Sequence, residues 1–139
     1  VCIDASLALK LVLPESDSDR ARSLWQKWIA EKVARLAPPL LLSEGLSVIR
    51  NRAYRKLLLP EEAEEMSKTF LGLPIHILSP DNLMARTWEL ATEFNRPNVY
   101  DSHYLALAEK MGCELWTADE RLFNSVKDKL PWVRFFSQL

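Results

Sequence analysis

The stretch YDSHYLALAEKMGCELWTADERL, residues 100–122, holds one whole unit of a fold. Residues 101–111 read as a helix that opens at Asp101 and is closed by Gly112. Residues 114–117 then carry the short apolar run of a buried strand, and Asp119 leads into a second helix over residues 120–127. Helix, buried strand, acid, helix is the unit of a parallel sheet, because parallel neighbours are joined by long crossovers and not by hairpins.

The same unit recurs toward both ends of the chain. Residues 1–4 read as a strand ending in Asp4, followed by a helix over 6–13 that Pro14 ends and a polar turn over 15–19. Ala21, Leu24, Trp25, Trp28, Ile29 and Val33 recur at helical spacing, with Arg22, Gln26, Lys27 and Glu31 opposite. A strand over 35–41 contains Pro38 and Pro39, and leads into a helix over 43–58 with Leu46, Ile49, Ala53 and Leu57 inward. Pro60, followed by Glu61 and Glu62, starts a helix that Gly72 ends. A strand over 74–78 precedes a helix capped by Ser79, with Pro80 in its first turn and Met84, Trp88, Ala91 and Phe94 along one face. A last strand falls at 132–136. The expected fold is a three-layer α/β/α sandwich with a mostly parallel central sheet, a single domain over residues 1–139.

Composition narrows the functional classes. With 48% apolar and 27% charged residues the chain is an ordinary globular domain, so disorder is not expected. Eighteen Lys and Arg against nineteen Asp and Glu leave a net charge of −1, so a nucleic-acid partner would have to be held by a local patch. Cys2 and Cys113 lie on or beside strands and outside any C-x-x-C pair, which favours reduced thiols and gives redox or zinc chemistry no support. No stretch approaches the roughly 20 apolar residues of a membrane span and no signal sequence opens the chain, so a cytoplasmic protein without membrane association is expected. Val1 already lies inside a strand and no methionine precedes it, so native residues are expected upstream.

Four acids stand where a strand gives way to a helix: Asp4, Glu44, Asp101 and Asp119. Each has an ordinary reading on its own. Asp101 and Asp119 suit helix caps, and Glu44 suits a first helical turn. In a doubly wound sheet, however, the carboxyl ends of the strands share one crevice, where four acids from distant segments can meet. Two unit charges ~4 Å apart repel by roughly 4 kcal/mol at an effective dielectric near 20, a penalty that a divalent cation reverses. Carboxylates without His or Cys nearby favour Mg²⁺ or Mn²⁺ over Zn²⁺, and such an ion can activate water for phosphodiester hydrolysis.

Smaller groups fit the same site. Ser6, two residues after Asp4, and Thr117, two before Asp119, can orient an acid or a water, or serve turns and caps. Tyr104 shares a helical face with Asp101 but reads first as core, while His103 reads as exposed and His76 is uninformative. Arg50, Arg52, Arg55 and Lys56 form the densest basic run, either a solvated face or a patch for a phosphate backbone, and Lys10 is a further candidate one turn after Ser6.

These residues, in this order, resemble the PIN domain and, within it, the VapC-like toxin ribonucleases of toxin–antitoxin pairs. The resemblance runs from Val1 to about Phe136 through I-D-A-S, P-x-L-L-x-S-E, Y-D-S-x-Y-L-A-L-A-E and T-A-D-E-R-L. It implies that Asp4, Glu44, Asp101 and Asp119 hold one or two Mg²⁺ or Mn²⁺ ions, with Ser6 and Thr117 in support. It further implies endonucleolytic cleavage of RNA, a homodimer, and inhibition by a small antitoxin. Gly45 and Ser47 depart from the residues frequent at these places, and Asp119 stands at the least constant ligand position. Haloacid-dehalogenase phosphatases need a second Asp where this chain has Ser6, and receiver domains need paired acids near the first strand. Dinucleotide or P-loop binding fails because Gly45, Gly72 and Gly112 are scattered. The alternative from another class is a PIN-like module that binds RNA or protein without cutting.

Overall fold

The computed structural model describes residues 1–138. Five short strands, β1 (Cys2–Ile3), β2 (Leu36–Ala37), β3 (His76–Ile77), β4 (Leu115–Thr117) and β5 (Val133–Phe135), form one sheet in the order β3-β2-β1-β4-β5. Every neighbouring pair is parallel, with Cys2 opposite both Leu36 and Leu115. The chain winds outward from β1 to β3 and returns to add β4 and β5 on the other side. The point of reversal therefore lies between β1 and β4, and this is where a doubly wound sheet opens its crevice.

Among the described residues seven helices accompany the sheet: α1 (Ala5–Lys10), α2 (Ser18–Ala30), α3 (Leu40–Tyr54), α4 (Pro60–Leu71), α5 (Leu83–Glu93), α6 (Tyr100–Met111) and α7 (Glu120–Val126). The right-handed crossover rule puts α1 to α4 on one face of the sheet and α5 to α7 on the other. Consistent with this, α1 packs on α3, α3 on α4, and α5 on α6. The run Tyr104 to Ala108 of α6 is wholly buried against β1 and β4, and Ala106 and Ala108 leave room for that close approach. Trp28 of α2 meets Trp116 of β4 edge-on at 5.6 Å, and Trp25 and Trp28 are both core residues, as their spacing predicts. Both cysteines are free thiols. No helix among the described residues is long and apolar enough to cross a membrane.

Several local expectations are corrected. The second strand stops at Ala37, because Pro39 already has helical backbone angles and α3 starts at Leu40 rather than at Ser43. This helix ends at Tyr54, where Lys56 takes a left-handed φ of 60°, so Leu57 lies past the helix and is exposed. Ile29 also faces outward. Ser79 caps nothing, since left-handed Asn82 delays α5 to Leu83. The stripe that α5 buries is then Leu83, Thr87, Leu90 and Ala91, and Met84 and Trp88 point outward. Thr87 is tolerated there because its hydroxyl donates to the Leu83 carbonyl at 2.8 Å.

Candidate active site

The acid at the end of β1 is the most deeply built. Asp4 is 4% exposed and caps α1, its Oδ1 accepting the Leu7 N–H at 3.0 Å and the Ser6 hydroxyl at 2.7 Å. Its Oδ2 accepts the Thr117 hydroxyl from the adjacent strand β4. The two hydroxyl oxygens in turn take backbone donors, Ser6 Oγ from Ala118 at 3.0 Å and Thr117 Oγ1 from Asp119 at 2.9 Å. A single network thus ties the end of β1 to the end of β4, across the switch point. Burial pushes the Asp4 carboxyl up to about 6, against the pull of the Ser6, Thr117 and Leu7 hydrogen bonds, and the charge of Asp101 adds to the rise.

The other acids come from helices. Glu44 of α3 accepts the Tyr104 hydroxyl at 2.5 Å, and burial raises its carboxyl, opposed by that hydrogen bond and reinforced by Asp101. Tyr104 is core, as its spacing predicts, but its hydroxyl is also the anchor of Glu44, and burial followed by the Glu44 bond pushes the phenol up. Asp101, in the first turn of α6, accepts from Arg96 Nη2 at 2.9 Å. Asp119 caps α7 with Oδ1, which accepts from Arg121 at 2.9 Å and Leu122 at 3.1 Å. Its cap reading is thus satisfied.

All four acids, with Ser6 and Tyr104, line a single cavity of about 210 Å³. Their donor set is hard oxygen throughout, which suits Mg²⁺ or Mn²⁺ and gives Zn²⁺ nothing soft to bind. Yet among the described residues no three His, Cys, Asp or Glu side chains converge closely enough to form a ready metal cage. Glu44, Asp101 and Asp119 are each bonded to a different protein group, and the donor set fits such an ion by its chemistry.

The basic candidates divide. Lys10 is largely buried, bonding Glu15 at 2.7 Å and Asp17 at 2.8 Å, and Arg52 pairs with the same Glu15 at 3.3 Å. Neither is free for a phosphate. Arg50 and Arg55 are exposed and make no ion pair among the described residues. His103 is half-buried, with Nδ1 2.8 Å from the Val99 carbonyl, and it does not line the acid cavity. Arg96 went unnoticed in the sequence, because no spacing rule connects it with an acid five residues on. Its position is fixed by the C-terminus of α5, where left-handed Asn95 ends the helix and the Arg96 N–H reaches back to Ala91 O at 2.8 Å.

The PIN domain family model matches residues 1–129. This chain belongs to the PIN-domain family. It is 31% identical over 131 residues to Ribonuclease VapC9 of Mycobacterium tuberculosis, covering 94% of each chain. To Ribonuclease VapC3 of Pyrobaculum aerophilum it is 31% identical over 124 residues, covering 86% of this chain and 89% of that one. A toxin–antitoxin complex from Klebsiella pneumoniae contains a chain of the same fold, with a TM-score of 0.69 at 14% identity, over 100% of this PIN domain and 99% of that chain.

Proposed function

We propose that this PIN domain is a Mg²⁺- or Mn²⁺-dependent endoribonuclease, the toxin of a toxin–antitoxin pair, whose site is Asp4, Glu44, Asp101 and Asp119 with Ser6 and Thr117 in support. The observation that carries this reading is the meeting of all four acids in one cavity at the switch point of the sheet. Its context is the 31% identity to VapC ribonucleases over nearly the whole chain. When bound, the ion supplies the positive charge that gathers the carboxylates, activates a water and offsets charge on the scissile phosphate.

The chain's own residues prepare that event. Ser6, Thr117 and the Leu7 amide fix both oxygens of Asp4, so the acid is oriented before anything binds. Tyr104 holds Glu44, and Arg96 holds one oxygen of Asp101. Asp119 keeps Oδ2 free of protein hydrogen bonds among the described residues while Oδ1 caps α7. Arg50 and Arg55, still unpaired, supply positive charge on the α3 side for the RNA backbone. A small antitoxin covering the site, and a homodimer, complete the reading. Support for a protein contact comes from Met84 and Trp88, one turn apart on α5 and 57% and 67% exposed.

A second reading, favoured by the lack of a closed cage among the described residues, is an RNA- or protein-binding module that does not cut. Cleavage of RNA by the purified protein in Mn²⁺, Mg²⁺ and EDTA separates the two. Metal-dependent cleavage that disappears in Asp101→Asn, with the fold intact by circular dichroism, is expected. Cleavage that survives in that variant, or RNA binding with no turnover in either metal, would sink the proposal.

A further inference from the structure

Three depressions follow one another along α3. The acid-lined cavity shares Glu44 and Val48 with a second of about 380 Å³, which also contains Tyr100. That one shares Ser47 with a third of about 440 Å³, which contains Arg50, Asn51 and Tyr54. Both outer depressions fall in the size range of small-ligand sites, ~300–1,000 Å³. They are open to solvent, with Ser43, Ser47, Arg50 and Asn51 as their polar side chains besides Glu44. Each holds one exposed tyrosine ring: Tyr100 is 54% and Tyr54 is 75% exposed. Neither phenol bonds to the protein among the described residues, in contrast to Tyr104.

The spacing of the helix makes this one track. Glu44, Ser47, Asn51 and Tyr54 are separated by three, four and three residues, so they form a single stripe of α3 about 15 Å long. At one end is a proposed metal-binding acid. At the other is an aromatic face, with Arg50 beside it and unpaired among the described residues. Both rings lie in depressions that adjoin the acid-lined cavity, with their faces accessible. What suits a row of aromatic face, amide, hydroxyl and guanidinium leading from a phosphodiester-cleaving site is an RNA strand whose bases are unstacked. Aromatic side chains take such bases face to face regardless of sequence, while arginine neutralises the backbone between them. A duplex, whose bases are already stacked on each other, has nothing to offer these rings.

Building on the proposed ribonuclease activity, we propose that the stripe from Glu44 to Tyr54, together with Tyr100, is the substrate track for single-stranded RNA, with Tyr100 and Tyr54 as successive base-stacking platforms and Arg50 as the backbone contact. Ser47 and Asn51 lie between the platforms, and their hydroxyl and amide are placed to read base edges.

The test uses the full chain and a fluorescein-labelled single-stranded 12-mer RNA, with affinity read by anisotropy in EDTA and KM read from cleavage in Mn²⁺. Tyr100→Ala and Tyr54→Ala are each expected to weaken binding or raise KM by about 5- to 100-fold. Tyr→Phe at either position keeps affinity within about twofold, because stacking needs the ring and not the hydroxyl. An abasic oligonucleotide of the same length is expected to bind wild type and Ala variants alike. Cleavage that persists with RNA affinity and KM unchanged in both Ala variants overturns the track and leaves the ribonuclease reading standing. An equal loss toward the abasic strand overturns base stacking. A dimer lost on size exclusion with RNA affinity unchanged assigns the tyrosines to a protein contact and overturns the track as well. A wild-type protein that neither binds nor cuts RNA removes both readings together.

Discussion

The two halves of the acid cavity are built in different ways. On the sheet side, Asp4, Ser6 and Thr117 share five hydrogen bonds, two of which tie the end of β1 to the end of β4, and Asp4 and Thr117 are buried. On the helix side, Glu44 and Asp101 are partly exposed and each is held by one bond, to Tyr104 and to Arg96. In the proposed site the sheet half would be oriented before an ion arrives, whereas the helix half would exchange its Tyr104 and Arg96 bonds to close around one. Rigidity at one wall and single-bond tethers at the other are what a site needs if charge is to be gathered only on binding.

The sharpest way to break this comparison is to remove the charge of the rigid half. Asp4→Asn keeps a side chain able to cap α1 but loses the carboxylate, and RNA cleavage is expected to fall by more than the ~100-fold that changes around a metal site typically reach. The same change is expected to stabilise the ion-free protein at pH 7. Because the folded carboxyl sits at about 6, above its unfolded value of 3.8, the folded state binds the proton more tightly. The associated stability is therefore fully present below pH 3.8 and is lost as pH rises through 6, by about 3 kcal/mol as an upper bound. Glu44 shifts in the same direction. Denaturant titrations of the EDTA-treated protein from pH 4 to 8 should show falling stability for wild type and a flatter profile for Asp4→Asn. A flat wild-type profile would mean that Asp4 is not desolvated.

Next in size are the tethers. Thr117→Val on the rigid side and Tyr104→Phe on the mobile side each remove one hydroxyl from a carboxylate, and each is expected to lower cleavage by about 10- to 100-fold. Their stabilities should differ. Thr117→Val leaves a wholly buried acid short of a donor, and is expected to destabilise by about 1–3 kcal/mol. In Tyr104→Phe the freed Glu44 can turn to water, so a smaller loss is expected. Equal losses in chemical denaturation would show that the two walls are equally rigid.

Gly45 sharpens the same contrast from behind. A Cβ there would lie 2.0 Å from the Phe70 ring, which is 2% exposed and fixed in the α3–α4 contact. This explains why α3 carries a glycine next to Glu44, although glycine weakens a helix interior by about 1 kcal/mol. Gly45→Ala is expected to destabilise by about 1–2 kcal/mol net of that propensity gain, lowering the melting temperature by several degrees. The smallest effect belongs to Arg96→Gln. Removing a cation from Asp101 is expected to tighten Mn²⁺ binding a few-fold, measured by calorimetry, because the guanidinium and the ion compete for the same charge. Weaker Mn²⁺ binding would instead make Arg96 an orienting group.

Much of this was legible in residue order. Parallel strands alternating with helices, the stops at Gly72 and Gly112, and the positions of Asp4 and Asp119 just past β1 and β4 all follow from local patterns, whereas Glu44 and Asp101, expected at strand-to-helix junctions, lie inside α3 and α6. Other features were not. Met84 and Trp88 share a helical face with Ala91 and were expected inside, but the start of α5 is set by left-handed Asn82, and periodicity alone cannot tell which of two adjoining apolar stripes meets the sheet. Lys10 and Arg52 looked like phosphate ligands until the turn that carries Glu15 and Asp17 folded back onto them. Ion pairs between distant segments leave no periodic trace.

By itself, then, the sequence determined the alternation of parallel strands with helices and singled out four acids as candidates, because hydrophobic pattern and helix-start signals are properties of neighbours along the chain. Only the tertiary structure decided who holds each acid: Thr117 across the sheet for Asp4, Tyr104 from another helix for Glu44, and Arg96 from the end of α5 for Asp101. Those partners set how many bonds hold each carboxylate, through contacts that depend on packing between elements and not on the order of residues within them.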